Sequence, residues 1–249
     1  MIFLIGGIIF LLAGLFSMLG LGGSMLYVPL FKWFGYDFKS IAIPVGLLLN
    51  GVTALTATTY YLRAKMVDVR GAIPLVITSL IGAPLGAMLT SRVPTRILII
   101  LFVLGMIAAA VRMLRLSGSP EPDTMMPARK RMILTGLAGF AIGFIAGLLG
   151  LGGGFLVVPM LIAMGYPTKR AAATSAFVVV FSSFSGFAGH VAQGHFEPAL
   201  MVTCLVAVIV GSRLGAQLMN EKMKSRHIKR MFGIVLLIVA LKLTLGLMG

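Results

Sequence analysis

Charged residues are scarce in this sequence. Only 11% of its 249 residues are Asp, Glu, Lys or Arg, whereas 59% are hydrophobic and the mean hydropathy is +1.07. Soluble domains carry roughly 25% charged residues, so a chain this poor in charge could not cover a water-facing surface. Lipid must replace water around much of the molecule, and the composition predicts an integral membrane protein in contact with the bilayer.

Cysteine and acidic residues are also rare. Cys204 is the single cysteine, which excludes an intrachain disulfide and a thiolate metal cluster. The six Asp and Glu residues lie between apolar runs or at their ends, which argues against a cage for Na⁺ and mildly favours anions. Motifs of zinc proteases, serine hydrolases and phosphate loops are missing. We therefore expect neither an enzyme nor a bound metal or cofactor.

Basic residues, in contrast, are abundant, with 21 Lys and Arg and a formal net charge of +15. They cluster in short connectors between apolar runs and form no basic face with interleaved aromatic residues, so nucleic acid is not an expected partner. The first apolar run lacks a basic region before it and a small-residue cleavage site after it, so we expect a retained helix.

Ten apolar segments predict an all-α polytopic membrane protein with about eight to ten membrane segments. Crossing about 30 Å of hydrocarbon takes roughly 20 helical residues. Two segments, 21–35 and 151–165, are shorter, begin with glycines and contain a proline, so each is predicted to be a broken or half-depth helix. The ten segments are 2–20, 21–35, 41–62, 72–91, 97–111, 132–150, 151–165, 171–191, 198–219 and 231–248.

An internal repeat divides the chain. Residues 20–29 match residues 150–159 at an offset of 130, and residues 82–87 match residues 211–216 at an offset of 129. A collinear series of matches is better explained by duplication than by chance. The sequence thus predicts two homologous transmembrane repeats, 1–114 and 131–249, joined by a cytoplasmic linker, 115–130.

The connector charges predict the orientation. If all ten segments cross, most Lys and Arg residues lie on the side of the linker, which is then cytoplasmic by the positive-inside rule. Five crossings per repeat is an odd number, so the repeats are expected to be inverted. An arrangement in which a short segment is re-entrant stays open as the alternative. The expected location is the cell inner membrane, with multiple passes.

The duplicated glycine elements are the main candidate for a substrate site. Glycine- and proline-interrupted segments at matching positions of two repeats indicate the site of a transporter, because irregular backbone inside a membrane is tolerated only beside protein or a wet cavity. A helix that begins after such glycines would attract an anion; the alternative is that small residues only allow close helix packing. The candidates are Gly20, Gly22, Gly23, Ser24, Pro29, Gly150, Gly152, Gly153, Gly154 and Pro159.

Further candidates are polar residues within the apolar segments. A hydroxyl-rich lining could coordinate an oxyanion, although such side chains also bond to neighbouring helices. Its residues include Asn50 and Thr53 in the third segment, and Thr174, Ser175, Ser182 and Ser183 in the eighth. Arg213 is the one ionisable residue well inside a predicted span. It could bind an anion through its planar fork or extend to the membrane surface.

The Gly-rich Leu-Gly-Leu-Gly-Gly…Val-Pro elements, with a later Gly-Ala/Ser-x-Leu-Gly-Ala element in each repeat, resemble the sulfite exporter TauE/SafE family. The resemblance extends along essentially the whole chain and implies a bacterial inner-membrane transporter of sulfur-containing anions such as sulfite or organosulfonates. One departure is Ser24, where the second element has Gly154.

The functional prediction is a secondary transporter, and an exporter by resemblance, that moves a small anion by alternating access. A passive anion channel and a transporter of another small organic anion are the alternatives. Self-association into a homo-oligomer, the direction of transport and the coupling ion are left open by the sequence.

Overall fold

The fold is a bundle of helices, described here from a computed structural model for residues 2–90, 92–118, 120–121, 124–149, 152–191 and 194–248. Within these residues there are ten α-helices and one short π-helix, Phe38–Ala42, that leads into the third α-helix. The α-helices are α1 Ile2–Leu19, α2 Ser24–Trp33, α3 Ile43–Arg63, α4 Val69–Thr90, α5 Thr95–Leu116, α6 Ala128–Leu149, α7 Gly154–Ala163, α8 Thr168–His190, α9 Pro198–Glu221 and α10 Ser225–Met248. We refer to α1–α5 as the first half and to α6–α10 as the second half.

The helices confirm the prediction of an all-α polytopic membrane protein. Six of them, α1, α3 (with the π-helix), α4, α6, α8 and α9, are long and apolar enough to cross a membrane, as judged within the described residues. The two short segments are helices of 10 residues each, α2 and α7, with Pro29 and Pro159 inside them. At about 1.5 Å per residue such a helix spans about 15 Å, half of the hydrocarbon layer.

The connector between the halves is shorter than the predicted linker 115–130, because α5 continues to Leu116 and α6 begins at Ala128. The Glu121 carboxylate accepts hydrogen bonds from the Thr168 backbone N–H at 2.6 Å and the Thr168 hydroxyl at 2.7 Å, and it pairs with buried Lys229 at 3.3 Å. The connector is therefore anchored to the start of α8.

Close packing through glycine holds α4 against α6 and α1 against α9, which are the two most extensive helix pairs. Along α6, Gly139, Gly143 and Gly147 contact Leu75, Ser79 and Ala83 of α4 in the same order, so these helices run parallel. Glycines of the second duplicated element serve these contacts: Gly82 and Gly86 face the α6 backbone, and Gly211 and Gly215 face the α1 backbone. Small residues permit such approach between helices in a membrane.

Helices α3 and α8 occupy the middle of the bundle. They are the most buried of the candidate spans, at 72% and 67% of their apolar windows, against 39–44% for the others. Leu47 lies near Gly186, Asn50 near Ser183, and Ala54 near Val180, so the two helices run antiparallel. In the order of helices within each half, α3 corresponds to α8, α4 to α9 and α1 to α6. The α4–α6 pair of one half-to-half contact therefore corresponds to the α9–α1 pair of the other.

Candidate functional site

Two glycine turns, one before α2 and one before α7, lie against the same asparagine. Gly22 has φ +85° and Gly152 has φ +65°, a left-handed backbone that favours glycine. A side chain at Gly22 would overlap the Asn50 carboxamide, and one at Gly152 would overlap the Asn50 amide nitrogen and the Ser183 hydroxyl. Both turns therefore need glycine for their conformation and for their contacts with Asn50.

Asn50 of α3 connects the first turn to the second half. Its Oδ1 accepts hydrogen bonds from the backbone N–H of Gly23 and, at 2.8 Å, from that of Ser24. Its Nδ2 donates to Ser183 Oγ on α8 at 2.6 Å. The Asn50 side chain is fully buried. It thus caps the N-terminus of α2 and at the same time holds α3 to α8.

The N-terminus of α7 has no equivalent cap among the described residues. Gly153, which precedes α7, adopts φ +78° and has no side chain of its own to cap the helix. Within the described residues no side chain from elsewhere bonds to the first N–H groups of α7, whereas Asn50 does so at α2. The offset of 130 that aligns the two turns places Val180 where the first half has Asn50. The first N–H groups of a helix carry a partial positive charge and favour an anion. The second turn therefore offers donors that the first turn has already used.

The two turns also contact each other. The Cα of Gly154 lies against the backbone of Leu21, so a side chain at residue 154 would overlap that backbone. This contact explains why the second element has glycine where the first has Ser24. The Ser24 side chain is fully buried, and its hydroxyl has no hydrogen-bond partner within the described part of the chain. It adds an uncommitted donor at the start of α2.

Hydroxyl groups of α8 bind the carbonyl groups of both turns. Ser175 donates to the Gly20 carbonyl at 2.8 Å, and Ser182 donates to the Gly152 carbonyl at 2.7 Å. Thr53 of α3 is buried and lies 3.1 Å from the Tyr27 hydroxyl on α2. Around the turns, these described polar side chains are uncharged.

Not every predicted residue lies at the turns. Thr174 accepts a hydrogen bond from the Asp68 backbone at 3.0 Å, in a different cluster. Pro29 and Pro159 are buried within α2 and α7, where each removes one backbone donor. Arg213 is exposed on α9, next to the buried residues Gly211 and Ser212 that face the bundle. Gly150 lies outside the described residues.

Ser182 and Ser183, predicted as part of the hydroxyl-rich lining of the eighth segment, lie at the turns. The offset of 130 also pairs Thr53 with Ser183 and so places a hydroxyl at equivalent positions of both halves. Tyr27 was missing from the predicted site, and no comparable pattern marks it, because its equivalent is Val157.

Comparison with known proteins agrees with this architecture. The family model described as sulfite exporter TauE/SafE matches residues 5–243. The chain belongs to the sulfite exporter TauE/SafE family. The match contains α2 to α9 completely and most of α1 and α10, and the chain is a multi-pass membrane transporter. No solved structure gives a significant match.

Individual relatives support the same assignment. The probable membrane transporter protein YunE of Bacillus subtilis (strain 168) is 29% identical over 253 residues, which cover 91% of each chain. A probable membrane transporter protein of Methanocaldococcus jannaschii is 25% identical over 256 residues, covering 97% of this chain and 93% of its own. The sulfite exporter TauE/SafE family protein 1 of Arabidopsis thaliana is 32% identical over 95 residues, covering 36% of this chain and 21% of its own.

Proposed function

We propose that this TauE/SafE member is a secondary transporter that moves a small anion, a sulfur oxyanion or organosulfonate, across the cell inner membrane. The observation that carries the proposal is the convergence of two duplicated glycine turns on Asn50 in the middle of the bundle. Irregular backbone at matching positions of two repeats is the usual setting of a transporter's substrate site.

The chemistry of the turns favours an anion. Among the described residues, no side chain caps the backbone donors at the start of α7, and the buried Ser24 hydroxyl has no partner. A helix N-terminus with free N–H groups favours negative charge. The described side chains that touch the turns include no carboxylate that would repel an anion or hold a cation. Sulfur as the central atom is supported by the family assignment alone.

Alternating access is the mechanism that the helix directions favour. The equivalent helices α3 and α8 run antiparallel through the middle of the bundle, as expected for two inverted repeats. In such transporters one repeat rocks against the other around a fixed site. In this proposal Asn50 and Ser183 form the contact between the halves at the site.

Counterflow in proteoliposomes tests the proposal. Vesicles are loaded with an unlabelled anion, and the uptake of the same labelled anion is followed for sulfite, thiosulfate, methanesulfonate and acetate. With the membrane potential held at zero by valinomycin and equal K⁺ on both sides, we expect transient accumulation of a sulfur-containing anion above its equilibrium level, which a passive channel cannot produce under this clamp. Protein-free vesicles are the control. Absence of protein-dependent flux for every anion in the panel would contradict the proposed function.

A further inference from the structure

A second polar cluster joins the two halves at one end of the bundle. Asp68, in the connector between α3 and α4, belongs to the first half. Its Oδ2 accepts a hydrogen bond from the Tyr166 hydroxyl at 2.7 Å, and its backbone N–H donates to Thr174 Oγ1 at 3.0 Å; both partners belong to the second half. Its Oδ1 accepts from the Gly71 N–H at 3.0 Å at the start of α4. We call this end, which carries the connectors 64–68, 117–127, 164–167 and 222–224, the basic end.

Arg131, in the first turn of α6, is only partly satisfied by its described neighbours. Its NH2 atom lies 3.9 Å from Asp68 Oδ2, which is too long for a hydrogen bond. Its NH1 atom donates to the thioether sulfur of Met125 at 3.2 Å, and its buried Nε has no partner among the residues that the structure describes. A guanidinium carries five N–H donors in a planar fork that suits an oxyanion. Arg131 therefore has hydrogen-bond donors that Asp68 does not use and that a ligand could bind.

The surroundings of Arg131 are suited to negative charge. The guanidinium lies 5.3 Å from the centre of the Tyr166 ring, and the Tyr166 hydroxyl points to the Asp68 carboxylate. Burial raises the pKa of Asp68, but hydrogen bonds from Tyr166 and Gly71 and the charges of Arg131 and Arg170 outweigh it and hold that pKa below its ordinary value of 3.8. The group that faces Arg131 is thus an anion at neutral pH.

We propose that Arg131 and the Tyr166 hydroxyl form a docking site for a small oxyanion at the basic end, and that the Asp68 carboxylate occupies this site when no anion is bound. A carboxylate, a sulfite and a sulfonate all present two oxygen atoms to a guanidinium fork. The side chains of Arg131 and Asp68 are 17% and 16% exposed, so an anion from solution can reach them. This inference rests on the anion transport proposed above.

Competition at this site would couple anion arrival to movement of the halves. Asp68 is held by the second half through Tyr166, Arg131 and Thr174. An incoming anion that takes Tyr166 and Arg131 leaves the carboxylate with only its Gly71 contact, within its own half. The contact between the halves at the basic end is then weakened when an anion is available for transport.

The test is the affinity of the purified full-length protein in detergent, measured by calorimetry with sodium sulfite and sodium methanesulfonate against sodium chloride at equal ionic strength. Asp68→Asn keeps the Gly71 contact but removes the competing charge. We expect its Kd for the oxyanion to fall at least about fivefold. Arg131→Gln should raise the Kd at least about tenfold. Arg129→Gln removes an exposed charge from the same helical turn and should leave the Kd unchanged.

The double variant decides between competition and a purely structural role for Asp68. The gain from Asp68→Asn should disappear in Asp68→Asn/Arg131→Gln, because the gain depends on Arg131. A gain that persists without Arg131, or an Asp68→Asn protein that binds no tighter than wild type, would overturn the docking site. Arg131→Lys, which keeps the charge but not the fork, should also weaken binding and serves where the Gln variant does not fold. Flux of the wild-type protein in proteoliposomes distinguishes this proposal from the proposed transport. Absence of flux would contradict anion transport, whereas the Arg131-dependent gain in oxyanion affinity would still test the docking site.

Discussion

The two glycine turns each contain a left-handed glycine, Gly22 and Gly152, but differ in how the following helix begins. At α2 the first N–H groups of Gly23 and Ser24 bond to Asn50 Oδ1. At α7 no described side chain caps the helix, and Val180 stands at the position equivalent to Asn50. Duplication thus kept the left-handed glycines, at Gly22 and Gly152, while the side chains around them diverged.

The difference indicates that the two turns have different roles, one structural and one open to a ligand. The capped α2 turn has few free donors and is tied through Asn50 to Ser183 of the other half. At α7 no described side chain occupies the first N–H groups, whose partial positive charge favours an anion. On the proposed function, the anion would therefore bind at the uncapped α7 turn, and the capped α2 turn would support it.

The largest expected effect comes from breaking the feature that the turns share. Gly22→Ala and Gly152→Ala each place a methyl group against Asn50 in a backbone that disfavours any side chain. We expect anion flux in proteoliposomes to fall at least about tenfold for each variant. Gly136→Ala, at a helical glycine with open space around it, is the matched control and should keep wild-type flux. Normal flux in both turn variants would remove the turns from the site.

The next effect tests the role of Asn50 as a neutral support. Asn50→Asp keeps the size and the cap on α2 but places a negative charge between the turns. The half-saturation concentration for the anion should rise about tenfold or more, because a buried like charge repels the substrate. Asn50→Ala removes the cap without adding charge. This variant should be less thermally stable than wild type, and it should raise the half-saturation concentration less than Asn50→Asp does. If Asp at this position leaves the half-saturation concentration unchanged, the anion does not approach Asn50.

A smaller effect concerns how the halves anchor their central helices. The π-helix that precedes α3 is capped by exposed Asp37, whose carboxylate accepts a hydrogen bond from the nearby Ser40 backbone N–H. The start of α8 is instead capped by Glu121, which lies in the connector between the halves. Burial raises the pKa of Glu121, but hydrogen bonds from Thr168 and the charge of Lys229 outweigh it and lower that pKa from 4.5. The carboxylate therefore stabilises the folded state above pH 4.5, and this contribution is lost as the pH falls below that value.

Glu121→Gln should accordingly lower the thermal midpoint at neutral pH by a few degrees and reduce its loss on acidification. Asp37→Asn, a cap at the exposed surface, should lower the midpoint less. Thermal unfolding in detergent between pH 7 and pH 3 measures both. Equal effects of the two variants would mean that the connector does not anchor α8.

Much of the fold could be predicted because hydrophobicity and duplication are strong signals. The apolar runs located all ten helices, and the glycine-proline pattern located the two short ones. The duplicated pattern also pointed to residues 22 and 152, which the structure brings to the same asparagine.

The residues that differ between the two repeats could not be assigned roles from the sequence in the same way. Asn50 has Val180 at the equivalent position of the second repeat, so it belongs to no repeated pattern. Its cap on α2 and its contact with Ser183 are therefore seen only in the structure. The helices are apolar on most faces, so periodicity did not tell which side faces lipid. For that reason the sequence could not place Arg213 on an exposed face, nor assign the 82–87 and 211–216 elements to helix packing.

The most direct test of the central claim is to give the second turn the cap of the first. Val180 lies one helical turn before Ser183, which contacts Gly152. In Val180→Asn, the new amide oxygen should accept the free N–H groups of α7 and compete with the anion. We predict that the half-saturation concentration for anion flux rises at least about fivefold, while Val180→Leu stays close to wild type. An unchanged half-saturation concentration in a folded Val180→Asn protein would contradict the assignment of the anion site to the start of α7.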